Sequence, residues 1–152
     1  MRCLFIFILL LTSCNSPYSG GNIGSICELE TNIKLKIIKQ LSDSLFKDGK
    51  YIIPLELDKS LNIIDYSFLD YKTYYFDDDP RQIFMITFDG LLLVRMVYDV
   101  KSEEWITKEN HLDIKEIEMM KKRFYFNVLE DIKKKANLLE MPDSIVFREK
   151  LN

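Results

Sequence analysis

The sequence predicts an α+β fold: one domain, with an antiparallel sheet of about four strands and an N-terminal and a long C-terminal helix packed on it. Three observations carry this. Apolar residues recur at helical spacing in two stretches, Ile26 to Leu45 and Ile114 to Ala136. Between them the pattern changes to short runs of Ile, Val, Phe, Tyr and Met, broken by Asp, Gly and Pro. The order helix, strands, helix also segregates the two element types, with the helices expected on one face of the sheet.

The first helix is expected to start at Ser25. Ser25 and Glu28 fit a capping box, in which each side chain satisfies the other residue's backbone N–H. Ile26, Leu29, Ile33, Ile37, Leu41 and Leu45, widened by Ile38, give the apolar stripe, and Asp48-Gly49 supplies a stop. Cys27 falls on this helix as a small buried residue. Tyr51 to Leu57 reads as a short strand, which Pro54 places at an edge because proline cannot donate to a ladder. Leu61 to Phe68 has no decisive pattern. Tyr71 to Phe76 reads as a strand closed by the turn Asp77-Asp78-Asp79-Pro80. Gln82 to Phe88 and Leu91 to Asp99 flank Asp89-Gly90, the dipeptide favoured in two-residue type I′ hairpins. Both arms are almost wholly apolar, so the hairpin's centre is expected to be buried.

A polar connection containing Trp105 follows from Val100 to Leu112. Asp113 and Glu116 then repeat the capping logic at the start of a long helix. Its stripe is Ile114, Ile117, Met120, Phe124, Val128, Ile132 and Ala136. Asp113, Glu116 and Glu118 sit in its first turns and Lys133, Lys134 and Lys135 near its end, as the helix dipole favours. Glu118–Lys122, Glu130–Lys134 and Asp131–Lys135 have the spacing and order of stabilising pairs. Met141-Pro142 ends the helix, and Ile145 to Phe147 reads as a last short strand.

The amino terminus carries an address. Met1-Arg2 is a positive start, and Cys3 to Leu11 is an unbroken run of nine apolar residues. A bilayer-spanning helix needs roughly 20, so the run fits the apolar part of a secretory signal. Leu11-Thr12-Ser13-Cys14 resembles the lipobox of bacterial lipoprotein precursors: a branched apolar residue, two small residues and a cysteine. That resemblance covers only the signal region. It implies cleavage before Cys14, lipidation of the Cys14 thiol and, as is usual in the class, three acyl chains including palmitate. Two or more chains give stable anchoring where one gives marginal binding. Asn15 after the cysteine implies, by the same resemblance, the outer membrane. Residues 1–13 are thus expected as signal peptide and 14–24, rich in Gly, Ser and Asn, as lipidated cysteine and flexible tether. Residues 25–152 form the domain.

Composition narrows the functions. Lys and Arg number 21 against 24 Asp and Glu, and loss of Arg2 with the signal takes the net charge from −3 to −4. A nucleic-acid binder would show a basic face, so none is expected as partner. Of the three cysteines, Cys3 leaves with the signal and Cys14 is acylated. Cys27 then has no partner within the chain, and stability must come from the apolar core.

No catalytic motif stands out: there is no G-x-S-x-G, phosphate loop or G-x-G-x-x-G. Asp77-Asp78-Asp79 begins like a calcium loop, but Arg81 and Gln82 occupy the places where such a loop needs Asp or Asn and then Gly. A solvated turn is the better reading. His111, the one histidine, has only local polar neighbours, so neither base catalysis nor a zinc set is expected. No cofactor and no metal follow from these residues. Glu103-Glu104 beside Trp105 is the best carboxylate pair for an envelope hydrolase acting on glycans, although adjacent strand residues point to opposite faces. The unusual feature is aromatic: Tyr66, Phe68, Tyr71, Tyr74, Tyr75 and Phe76. Alternation puts Tyr71 and Tyr75 on one face and Tyr74 and Phe76 on the other, so one set covers the core and the other, with Trp105, is offered to a protein or glycan partner. The expected function is therefore a lipid-anchored envelope domain that binds another macromolecule, of immunity or inhibitor type by analogy, with the hydrolase as its rival.

Overall fold

The computed structural model describes residues 24–61 and 69–148. The signal peptide, Cys14, nearly all of the tether, and Tyr66 and Phe68 lie outside the described residues. The described chain is one α+β domain, as the sequence predicts. In order, its elements are strand β1 (Cys27–Glu28), helix α1 (Leu35–Lys47), helix α2 (Leu55–Ser60), and strands β2 (Tyr71–Phe76), β3 (Gln82–Thr87), β4 (Leu93–Asp99) and β5 (Glu104–Ile106). Helices α3 (Ile114–Phe124), α4 (Glu130–Leu138) and α5 (Asp143–Val146) complete it. All pairings are antiparallel, in the order β1-β4-β3-β2, and β5 shares with β1 the outer edge of β4.

The N-terminal helix starts nine residues later than expected, with Lys34 at its N-cap in place of Ser25. Ile26 N–H donates to Val94 O and Leu29 N–H to Leu92 O, both at 2.8 Å, so this segment is strand β1 and Ser25 caps nothing. Ile26, Leu29 and Ile33 fit helical spacing, yet Cys27, Leu29 and Ile33 equally fit alternation, and all three are buried. The open edge of β4 decides between the two periods. Cys27 is buried as expected, but on a strand. From Leu35 the helical stripe holds, with Ile37, Ile38, Leu41, Ser42 and Leu45 buried. Gly49 at φ +83° then turns the chain, a conformation glycine adopts without steric cost.

Tyr51 to Leu57 is no strand. Pro54 is the N-cap of α2, with Glu56 and Asp58 in its first turn where the dipole favours acids. A bond from Tyr75 N–H to Tyr51 O at 3.0 Å ties the segment to the sheet. The β3–β4 hairpin forms, but its loop is Phe88 to Leu92 and not a two-residue turn, since Thr87 pairs with Leu93. Phe88 N–H is drawn to Asp70 O at 3.0 Å, which extends the β2 side. A bulge at Arg95 shifts the register between Met85 and Ile86.

The C-terminal helix begins at the expected box: Glu116 N–H donates to Asp113 Oδ1 and Asp113 N–H to Glu116 Oε2, both 2.8 Å. Its buried stripe, Met120, Phe124, Val128, Ile132 and Ala136, repeats every fourth residue. A regular helix of 3.6 residues per turn would let that stripe drift by about 40° per step. The wider π-helical turn over Tyr125–Leu129 absorbs the drift and keeps the stripe on the core. Ile114, the first residue of the expected stripe, is 80% exposed. The ion pairs close at i,i+3 and not i,i+4: Glu118–Lys121, Glu130–Lys133 and Asp131–Lys134. Lys135 instead meets Asp48 at 2.7 Å, because Asp131 is held by Lys50 and Tyr51. Residues 145–147 form the end of α5 and a single bridge, Ile33 to Phe147, in place of a strand.

The main core lies between the sheet and α1, α3 and α4, with Tyr74, Phe84 and Phe124 at its centre. Helix α2 packs on the opposite face, where Leu57 and Leu61 meet Ile83 and Tyr98, so the helices do not all share one face. Every residue of β3 is buried.

Candidate binding cleft

Among the described residues a concavity of about 380 Å³ opens where the acidic turn after β2 approaches α3. Arg123, on the last turn of α3, fixes the two together. Its guanidinium donates to Pro80 O at 2.5 Å, Gln82 Oε1 at 2.9 Å and Asp78 O at 2.9 Å, and it pairs with the Asp78 carboxylate. It also lies over the Phe76 ring, 4.9 Å from the centroid, a favourable seat for a cation. Arg123 Nε is buried without a described acceptor.

The floor is apolar: Ile106 from β5, Leu112 before α3, and Met119 and Met120 from α3. Asp78, Asp79, Asp99 and Glu116 contribute the carboxylates. Three of these have structural partners. Asp78 holds Arg123, Asp99 Oδ1 accepts from Lys101 N–H and Ser102 N–H at 2.9 Å each, and Glu116 caps α3. Asp79, before the cis bond to Pro80, is exposed and takes no hydrogen bond from a described residue.

The sheet divides the expected aromatic surface. Tyr74 and Phe76 belong to the core, at 0% and 3% exposure, and cannot reach a partner. The Tyr74 hydroxyl hydrogen-bonds Ser42 Oγ at 2.8 Å, and its ring meets Phe124 edge-on at 5.2 Å. Burial pushes its ionisation well above the usual tyrosine value. Tyr71 and Tyr75 occupy the other face, half-buried. There Tyr75, Ile83, Tyr98 and Trp105 form one row of paired residues across four strands. Trp105 packs on Tyr98 at 5.2 Å, and Tyr75 OH donates to Asp77 at 2.7 Å.

The remaining candidates are dispersed. Glu103, at φ +58°, and Glu104 are exposed, and neither lines the cleft. His111 is exposed in a left-handed conformation at the end of a short 3₁₀ turn, Lys108–Asn110. Burial pushes the Cys27 thiol up to about 11, against a smaller opposing effect of Lys121, which leaves it a poor nucleophile. Among the described residues no three metal-ligating side chains converge, and no helix is long and apolar enough to cross a membrane. Sequence reading missed the cleft, since its lining comes from four separate segments. The signal that existed was the helical spacing of Glu116, Met119, Met120 and Arg123, which puts all four on one side of α3, between the buried Met120 and the exposed Met119. Comparison with protein-family models, curated proteins and solved structures finds no match.

Proposed function

We propose that the protein is a lipid-anchored component of the bacterial cell envelope, at the outer membrane, whose domain is a binding module and not a catalyst. The address rests on Leu11-Thr12-Ser13-Cys14. The binding role rests on the cleft, where an apolar floor lies open beside carboxylates that already serve as clasp, turn lock and helix cap. Asp78, Asp99 and Glu116, engaged in this way, define a rim and leave Asp79 with no second free carboxylate in the lining, whereas acid–base work by a carboxylate pair needs two groups free to exchange protons with substrate. A role of immunity or inhibitor type fits such a module. Two measurements test the proposal. Cys14→Ser should abolish lipid labelling and move the protein from the detergent to the aqueous phase; unchanged partitioning would refute the anchor. Met119→Lys, at a residue 62% exposed, should weaken capture of an envelope partner without unfolding the domain. Undiminished capture would refute the cleft as the binding site.

A further inference from the structure

Four carboxylates line this one small cleft, and a single guanidinium answers them. That guanidinium is committed to the Asp78 side chain and to the turn's backbone, so the negative charge of Asp79, Asp99 and Glu116 has no lining cation to balance it. Clefts lined by one sign of charge focus their field and raise the local concentration of the opposite sign. The floor adds a second preference. Met119 is 62% exposed although it is apolar, and methionine moulds to varied apolar partners. Charge alone would attract any small cation; charge beside open methionine favours a ligand with a cationic group and an apolar one close together.

We propose that the cleft binds a peptide segment of a protein partner that carries lysine or arginine next to aliphatic side chains. This rests on the binding-module reading above and specifies the chemistry of its partner. The cationic group would sit toward Asp79, whose carboxylate takes no hydrogen bond from a described residue, and the aliphatic group on Met119, Met120 and Ile106. Nucleic acid and anionic lipid would be repelled by the same carboxylates.

The test uses the full mature chain with its lipid, held in phosphatidylcholine nanodiscs and labelled at the methionine methyls. Three short peptides are titrated: leucine with lysine, and the same sequence with glutamine or with glutamate replacing lysine. The lysine peptide should shift the Met119 and Met120 methyls saturably while leaving Met85, buried elsewhere in the sheet, unmoved. The glutamine and glutamate peptides should bind at least tenfold more weakly, and Asp79→Asn or Met119→Lys should each weaken the lysine peptide several-fold. Higher salt should weaken it too, as expected for exposed charges. Equal binding of the glutamine peptide would overturn the charge preference yet leave a binding cleft. Failure of all three peptides, with partner capture still sensitive to Met119→Lys, would overturn the proposed chemistry and spare the binding module. Loss of both would end both.

Discussion

Asp131 shows how a few polar residues fasten the two ends of this domain. Its carboxylate accepts from Lys50 Nζ at 2.7 Å and Tyr51 OH at 2.9 Å, joining α4 to the turn after α1. Burial pushes its pKa up, but the two hydrogen bonds and the charges of Lys50 and Lys134 outweigh that and leave it lowered. A lowered carboxylate contributes stability that is complete above its unfolded pKa and is lost as pH falls through the folded value. Urea denaturation should therefore show this contribution intact at neutral pH and fading in acid, below the ordinary carboxylate range. Asp131→Asn should cost about 1–2 kcal/mol at pH 7 and flatten that acid dependence. Cys27 makes a second test at this scale. Buried, with its thiol pushed up to about 11, it should label slowly with a thiol reagent in the native state and quickly in denaturant.

Single elements show where local pattern was enough and where it was not. Asp113 and Glu116 start α3 as their spacing requires, because both partners of that box lie within one turn. Ser25 and Glu28 have the same spacing, yet the edge of β4 captures Cys27 and Glu28 as strand and leaves Ser25 ahead of it with no helix to cap. Alanine substitution should separate the two: about 1 kcal/mol for Asp113→Ala, the usual cost of a lost cap, and less than about 0.5 kcal/mol for Ser25→Ala. The β2 strand was legible, including its two aromatic faces, but not which face is inward, because a shift of one residue exchanges them. Tyr74→Ala and Phe76→Ala should each cost about 3–5 kcal/mol, as for large buried rings. Tyr71→Ala and Tyr75→Ala, at half-buried positions, should cost clearly less by chemical denaturation.

At the scale of the whole molecule, the fold class could be read because helix and strand periods occupy separate stretches of the chain. The cleft could not, since it depends on the β4–β5 pairing that brings Ile106 and Asp99 to Arg123 and the acidic turn. Arg123→Ala tests that dependence: loss of its bonds to Asp78, Pro80 and Gln82 should free the turn and raise its hydrogen exchange, with the β3–β4 centre still protected. The short strand β1 carries a different consequence, a mechanical one. It is the first element of the described residues, so any pull arriving from its N-terminal side loads it before the rest of them. Its bonds to β4, among them those from Ile26 and Leu29, meet the load first and can peel one after the other. Behind them Ile33 is wedged in the core, and Lys34 N–H and Arg148 N–H close the seam at 2.9 and 2.7 Å. The domain is thus built with a short sacrificial fastening outside a firm one, and moderate tension would fray the former while the sheet and its cleft stay whole.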